Sequence, residues 1–338
     1  MSRHSPVLST DQADLADMLD AVLADAGEQP GDVDPDRIAA LRWQLAELGV
    51  WTLGAGADGA PDELAAVAFA RLGRTAPALG WAAVQAHAAV ELLGTAPLAG
   101  RVRAGEVAVA VVDEGSPAVQ LTVRDGHIAG RVDRVDPAGE PAHVVVLGHG
   151  SALVLSPKSL RSTPLRRTGL DGALTASVEL VAPVPETDVR LDAADTTAAR
   201  VRLRLGAAAV AAGIAEAAAE SALAYSGQRE QFGAPLTALP TVRDALFAAS
   251  GAAATALRQV LRPRDCTPWQ AAAVLDAACE QTIDTCTRAV QAHGGYGYLA
   301  EYPVERMLRD AVSLRAACDV TTARRAAAAE LTTGRGGS

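Results

Sequence analysis

Two stretches combine residue types that suit an anionic and an aromatic ligand. In Gln228-Arg-Glu-Gln-Phe-Gly-Ala-Pro-Leu236, Gly233 and Pro235 end a helical pattern and leave Arg229 beside its end. A guanidinium there can hold a pyrophosphate through charge-assisted hydrogen bonds, and Phe232 can pack on an aromatic ring. In Gln291-Ala-His-Gly-Gly-Tyr-Gly297, the glycines let the backbone approach a ligand and turn N–H groups towards an anion. No Gly-Lys-Ser/Thr follows, so this is not a nucleotide-binding P-loop. It follows a helical pattern and not a strand, which excludes the dinucleotide fingerprint of a βαβ unit. Taken singly, each stretch also reads as an ordinary helix end with a solvated arginine or a flexible link.

The elements that must carry these stretches can be read from periodicity. Residues 1–104 read as an N-terminal helical domain. Asp11 caps a first helix with Leu15, Met18, Leu19 and Val22 on its inner side, and Pro30 and Gly31 stop it. Pro35–Leu48, a helix from Pro61 and an apolar helix Pro77–Leu93 containing His87 follow; that histidine reads as a core residue. Residues 105–193 change to short apolar or alternating runs and read as an antiparallel β-domain. Its clearest signature is a hairpin, Val119–Val123 and His127–Val132 about the Arg124-Asp125-Gly126 turn. Residues 194–332 return to helix. Four long helices, the first capped by Thr196 or Thr197 and the last spanning Pro303–Arg325, read as a four-helix bundle, with 333–338 as a frayed tail. The fold class is therefore α+β and multidomain.

Composition narrows the function. The chain has 338 residues, 49% hydrophobic and only 3% aromatic, with a formal net charge of −10. An acidic surface argues against nucleic acid as a partner, because neutralising phosphates needs a basic face. It leaves room for an anionic small ligand held by a local arginine cluster. Cys266, Cys279, Cys286 and Cys318 form no Cys-x-x-Cys pair, and Cys279 and Cys286 lie about two helical turns apart, too far for a bridge. They read as free thiols in a reducing compartment, with no metal site. No membrane span is expected, since the long apolar stretches are interrupted by charges, and the protein reads as cytoplasmic.

Taken together and in this order, the motifs resemble the acyl-CoA dehydrogenase family. Its marks here are R-x-x-F-G-x-P from Arg229 and Q-x-x-G-G-x-G-Y-x-x-E-x-P-x-x-R-x-x-R-D-A from Gln291 to Ala311. A weaker match lies in Ala110-Val-Val-Asp-Glu-Gly115, Asp125-Gly126 and the later Ala142-His-Val-Val. The resemblance implies FAD between the β-domain and the bundle, shared across a subunit interface. It implies that Arg229 and Phe232 contact the FAD of a neighbouring subunit, Arg229 at its pyrophosphate, and that Gln291, Gly294 and Gly295 line the adenosine diphosphate end. Arg204 falls where relatives place an arginine facing the acyl-CoA. Glu301, Arg306, Arg309 and Asp310 serve helix and subunit contacts. The implied reaction is α,β-dehydrogenation of an acyl thioester, with a hydride passing to FAD and then to an electron-transfer acceptor, in a homo- or hetero-oligomer.

The sequence departs from the family at the reaction's base. The usual Glu position is Cys318, and the alternative position on the first bundle helix is Leu203. Asp319 is the nearest carboxylate and the candidate base, brought into place by a register shift in the last helix. Leu239-Pro240 replaces an aromatic or His followed by a FAD-contacting Gln. Arg131-Val-Asp-Arg-Val135 stands in for a Trp-containing segment that lies against the flavin. These departures imply a second possibility, a non-catalytic, FAD-contacting partner subunit of a heteromeric dehydrogenase, and the sequence leans slightly towards it. Ala211, Ala212 and Gly213 are expected to widen a cavity for a bulky acyl group.

Overall fold

A computed structural model describes residues 8–24, 34–55, 62–192, 195–261 and 266–333. The expected elements at Pro30–Gly31, at Pro61, across 193–194 and in the tail 334–338 lie outside the described residues. The N-terminal helices are α1 Thr10–Leu23, α2 Pro35–Glu47, α3 Asp62–Thr75, α4 Pro77–Leu93 and α5 Pro97–Arg103. Ser9, not Asp11, caps α1: its hydroxyl accepts from the Gln12 N–H while the Gln12 side chain returns to the Ser9 N–H. This reciprocal pair satisfies two orphan donors where Asp11, two residues later and inside the first turn, could serve neither. The α4 helix is apolar on almost every face because it is buried on almost every face. Within it His87 is buried edge-on to Phe69, with Nε2 3.0 Å from the Leu53 carbonyl oxygen.

The middle region holds β1 Ala108–Asp113, β2 Val119–Arg124, β3 His127–Val135, β4 Ala142–Leu147, β5 Ser151–Leu155, β6 Leu160–Pro164, β7 Ala176–Leu180 and β8 Val184–Pro185, then α6 Glu186–Val189 and β9 Arg190–Asp192. They form one sheet in the order β1-β4-β5-β9 and a second in the order β2-β3-β7-β6, with β8 on β3. The hairpin is present in the register Val119↔Val132, and its turn residues Asp125 and Gly126 both have positive φ, as a two-residue hairpin turn requires. One ladder departs from the antiparallel expectation: β1 and β4 are parallel, Ala108↔Ala142 through Asp113↔Leu147. The chain leaves the first sheet after β1, builds β2–β3 in the second, and re-enters beside β1 in the same direction. The unbroken apolar run of β1 fits a strand covered on both faces.

The C-terminal part holds α7 Thr196–Gln228, a small hairpin of β10 Glu230–Gln231 and β11 Ala234–Pro235, then α8 Pro240–Val260, α9 Pro268–His293, α10 Val304–Ala317 and α11 Val320–Thr333. Asp195 caps α7 by accepting from the Ala198 N–H at 2.9 Å, in place of either threonine. The expected last helix, Pro303–Arg325, is broken. Asp319 adopts φ +43°, and α11 starts afresh after it.

The α7 helix is long and apolar enough to cross a membrane by composition, but 72% of its most apolar window is buried by its neighbours. It is the central helix on which α3, α4, α8 and α9 pack. Of the three residues expected to widen a cavity, Gly213 sits at the α3–α7 crossing, where an added Cβ would overlap the Ala70 carbonyl and one on Gly73 would overlap that of Val210, while the Ala211 carbonyl accepts from Thr282 of α9. Backbones at such a distance leave space only for hydrogen. Glu216 of α7 is buried at the same crossing, 3.6 Å from both Arg71 and Arg74 of α3. One apolar core therefore runs from the N-terminal helices into the bundle, and a second lies between the two sheets around Ile128, Val132, Val144 and Leu155.

Candidate functional site

The first site is a cleft of about 610 Å³ where α7 and α9 end. It brings together Arg229, Gln291, Gly294 and Gly295, four of the residues expected to contact a cofactor. The α9 helix stops because Gly294 takes φ +59°, and the chain continues as a 3-10 turn, Gly294–Tyr298. Gly294 and Gly295 are exposed, and a Cβ on either would meet nothing, so a ligand can lie against bare backbone. Arg229 caps the end of α7 with its guanidinium 5.2 Å from the centre of the Tyr296 ring, and it makes no ion pair among the described residues. It is a cation available to an anion.

Sequence reasoning missed what holds this turn in place. Tyr225 stacks on His293 at 4.2 Å, and Tyr302 stands edge-on to both at 5.6 and 5.5 Å. The His293 Nδ1–H donates to the Ala289 carbonyl at 2.8 Å, and burial lowers the imidazole pKa. Three of the four tyrosines of an aromatic-poor chain gather here, which was the available signal.

Phe232 is not part of the cleft wall. It sits at the tip of the β10–β11 hairpin with φ +55°, 92% exposed, and Phe247 on α8 is 80% exposed. The R-D-A motif plays a structural part. Asp310 is buried and accepts from the Leu170 N–H at 2.7 Å, while Arg309 pairs with Glu305 at 2.7 Å and donates to the Thr168 carbonyl. Glu301 is exposed.

The second site is a cavity of about 190 Å³ between the β-domain and the bundle. The end of β1 contributes Asp113, β3 contributes Arg134, α7 contributes Arg200, Leu203 and Arg204, and the α10–α11 break contributes Cys318 and Asp319. Leu203 and Cys318, the two positions at which a base is expected, thus line one cavity. Arg200 pairs with Asp113 at 2.6 Å and donates to the Leu147 and Gly148 carbonyls at 2.8 and 2.9 Å, tying the bundle to the first sheet. Arg134 pairs with Asp136 at 2.7 Å and reaches the Ser313 carbonyl at 3.3 Å. Arg204 donates to the Pro268 carbonyl at 2.9 Å, and burial lowers its pKa.

Around the helix break the two candidate groups differ. The Cys318 thiol donates to the Arg315 carbonyl at 3.6 Å, and its hydrogen bond with Cys279 and then its burial hold its pKa well above the usual range. Both effects favour the neutral thiol over the thiolate, the form a base requires. Asp319 caps α11: one carboxylate oxygen accepts from the Thr322 N–H at 3.2 Å, and the other is buried without a hydrogen-bond partner. No register shift brings it to the cavity. The break does, because it ends α10 at Ala317 and turns the chain before α11.

The fold and the cleft define a class, and comparison with known proteins agrees with it. Residues 196–317 match the model of the acyl-CoA dehydrogenase C-terminal domain. The chain is 35% identical over 182 residues to the "Probable acyl-CoA dehydrogenase YngJ" of Bacillus subtilis, a match covering 48% of this chain and 46% of that protein. The matched part thus spans less than half the length of that curated relative. Among solved structures, glutaryl-CoA dehydrogenase from Mycobacterium smegmatis aligns with a TM-score of 0.80 at 17% identity, covering 97% of this chain and 96% of that one. A glutaryl-CoA dehydrogenase from the same organism in complex with FADH2 aligns with a TM-score of 0.77 at 15% identity, covering 97% and 96%. At such identities the structures establish the fold alone. Residues 196–317 are thus similar to the acyl-CoA dehydrogenase C-terminal domain, and the chain as a whole shares the fold of these dehydrogenases.

The cleft residues fit FAD at its adenosine diphosphate end. The volume lies within the range of ligand sites, two glycines present bare backbone, and Arg229 offers a guanidinium that makes no ion pair among the described residues. The 190 Å³ cavity is below that range and fits a small group.

Proposed function

We propose that this chain oxidises an acyl thioester at its α and β carbons with FAD as cofactor. The observation that carries this is the meeting of Leu203, Arg204, Cys318 and Asp319 in one cavity at the α10–α11 break. An acyl group filling a cavity of that size displaces water from its own α-carbon, where a less solvated carboxylate is a stronger base than in solution. Asp319 is the candidate base: its unpartnered oxygen takes the α-proton while its capped oxygen keeps the carboxylate oriented. FAD, when bound, supplies the acceptor for the hydride leaving the β-carbon. The C–H bonds at both carbons break, a C=C bond forms, the proton goes to Asp319, and two electrons leave with the hydride. Arg204 orients the acyl group. Arg229, Gln291, Gly294 and Gly295 hold the adenosine diphosphate end of FAD.

Phe232 and Phe247 stand exposed beside the cleft, which supports a second subunit, of this chain or a family homologue, closing over it. The domain bounds 1–104, 105–193 and 194–332, a cytoplasmic location and a separate electron-transfer acceptor belong to the same proposal. The test is to purify the chain alone and measure bound FAD and dye-coupled oxidation of acyl-CoA thioesters. A yellow oligomer with turnover is expected. Colourless protein that gains FAD and turnover only on co-expression with a homologue carrying the Glu base would overturn it and leave the partner-subunit role.

A further inference from the structure

Three arginines line the small cavity, and they are not alike. Arg200 has the Asp113 carboxylate at 2.6 Å, and Arg134 has that of Asp136 at 2.7 Å. Arg204 has no carboxylate within ion-pair distance among the described residues, although it is only 8% exposed. Of its five N–H donors, one hydrogen bond is formed, to the Pro268 carbonyl. Asp113 and Glu330 act on Arg204 only from beyond ion-pair distance. A buried guanidinium without a carboxylate in direct contact is costly, and its neighbours show that this fold places carboxylates directly on arginines of the same cavity. Asp319 lines the cavity too, but it caps α11 and forms no ion pair with Arg204.

We propose that the counterion of Arg204 is a carboxylate on the ligand, so that the substrate's acyl group carries its own carboxylate. The assignment rests on the acyl-thioester reading and narrows its substrate class. A phosphate is a poorer match: a dianion calls for more than one available cation, and the other two arginines are already neutralised. The volume, about 190 Å³, equals that of roughly six waters, which admits a short acyl chain with a terminal carboxylate and no long tail. Arg204 is then a specificity-determining residue.

The test compares equilibrium binding of succinyl-CoA and butyryl-CoA to the full-length chain by calorimetry, without turnover. The two acyl groups have equal carbon number and differ in the terminal carboxylate, so the coenzyme A contribution cancels. Wild-type protein is expected to bind succinyl-CoA at least about tenfold more tightly, in line with a charge-assisted hydrogen bond. Arg204→Gln should remove the preference, and Arg204→Lys, which keeps the charge, should retain part of it. Equal binding by wild type, or a preference that survives Arg204→Gln, overturns the inference. Free butyrate is the second arm. If neither thioester binds but butyrate binds in an Arg204-dependent manner, the thioester reading fails and the carboxylate site stands. If nothing binds, the carboxylate site is refuted.

Discussion

Asp319 accepts a hydrogen bond from the Thr322 N–H at 3.2 Å through one carboxylate oxygen and leaves the other buried beside the small cavity with no partner. The cap and the proposed proton transfer would therefore use two different atoms of one side chain, and two substitutions separate them. Asp319→Asn retains an acceptor for the cap, so the melting temperature should stay close to wild type while kcat for thioester oxidation falls by about 10²–10⁴. Asp319→Ala loses the cap as well and should cost an additional ~1 kcal/mol of stability. Equal turnover by wild type and Asp319→Asn would remove Asp319 as the base.

A pH effect follows from Asp310. Burial raises its pKa from 3.8 to about 6 despite the Leu170 hydrogen bond and the nearby Arg306 and Arg309. The folded state therefore binds the proton more tightly than the unfolded chain, and this contribution is full below about 3.8 and lost as pH rises towards 6. Asp310→Asn keeps an acceptor for Leu170 without the buried charge. Denaturant titrations should find it more stable than wild type at pH 7.5, by at most about 3 kcal/mol, with the difference shrinking at pH 4.

The α3–α7 crossing can be probed with two glycines. Gly213→Ala places a methyl group into the Ala70 carbonyl and should destabilise by about 1–3 kcal/mol. Gly251→Ala, on α8 with open space around it, should stabilise by about 0.5–1 kcal/mol through helix propensity. Thermal melts of both variants check the contrast.

At the cleft, Arg229→Ala should weaken binding of ADP, used as the probe for that end of FAD, by about tenfold or more. Tryptic protection or calorimetry with ADP would report it. Phe232→Asp should leave ADP binding by the isolated chain near wild type and shift any oligomer towards monomer in analytical ultracentrifugation, because Phe232 lies outside the cleft wall.

Much of this was readable in the residues because local physics determines it. Helical periodicity, the Asp125–Gly126 turn and the change from period 3.6 to period 2 follow from neighbours in the chain, so the helix–sheet–bundle order is legible. Arg229, Gln291, Gly294 and Gly295 could be grouped from their motifs, and the structure brings the four into one cleft. Phe232 was legible as a residue but not as an exposed hairpin tip.

What tertiary structure alone decided has a common reason: it depends on residues far apart in sequence. The parallel β1–β4 ladder is set by a detour through the second sheet. Gly213 became a helix crossing because the Ala70 backbone arrives there. The break at Cys318–Asp319 carries no Gly or Pro; Asp319 tolerates its positive φ and the new helix starts from its cap. Arg204 could be singled out as an arginine, but only the packing of β1, α7 and the α10–α11 break left it buried at a cavity without a carboxylate in direct contact among the described residues.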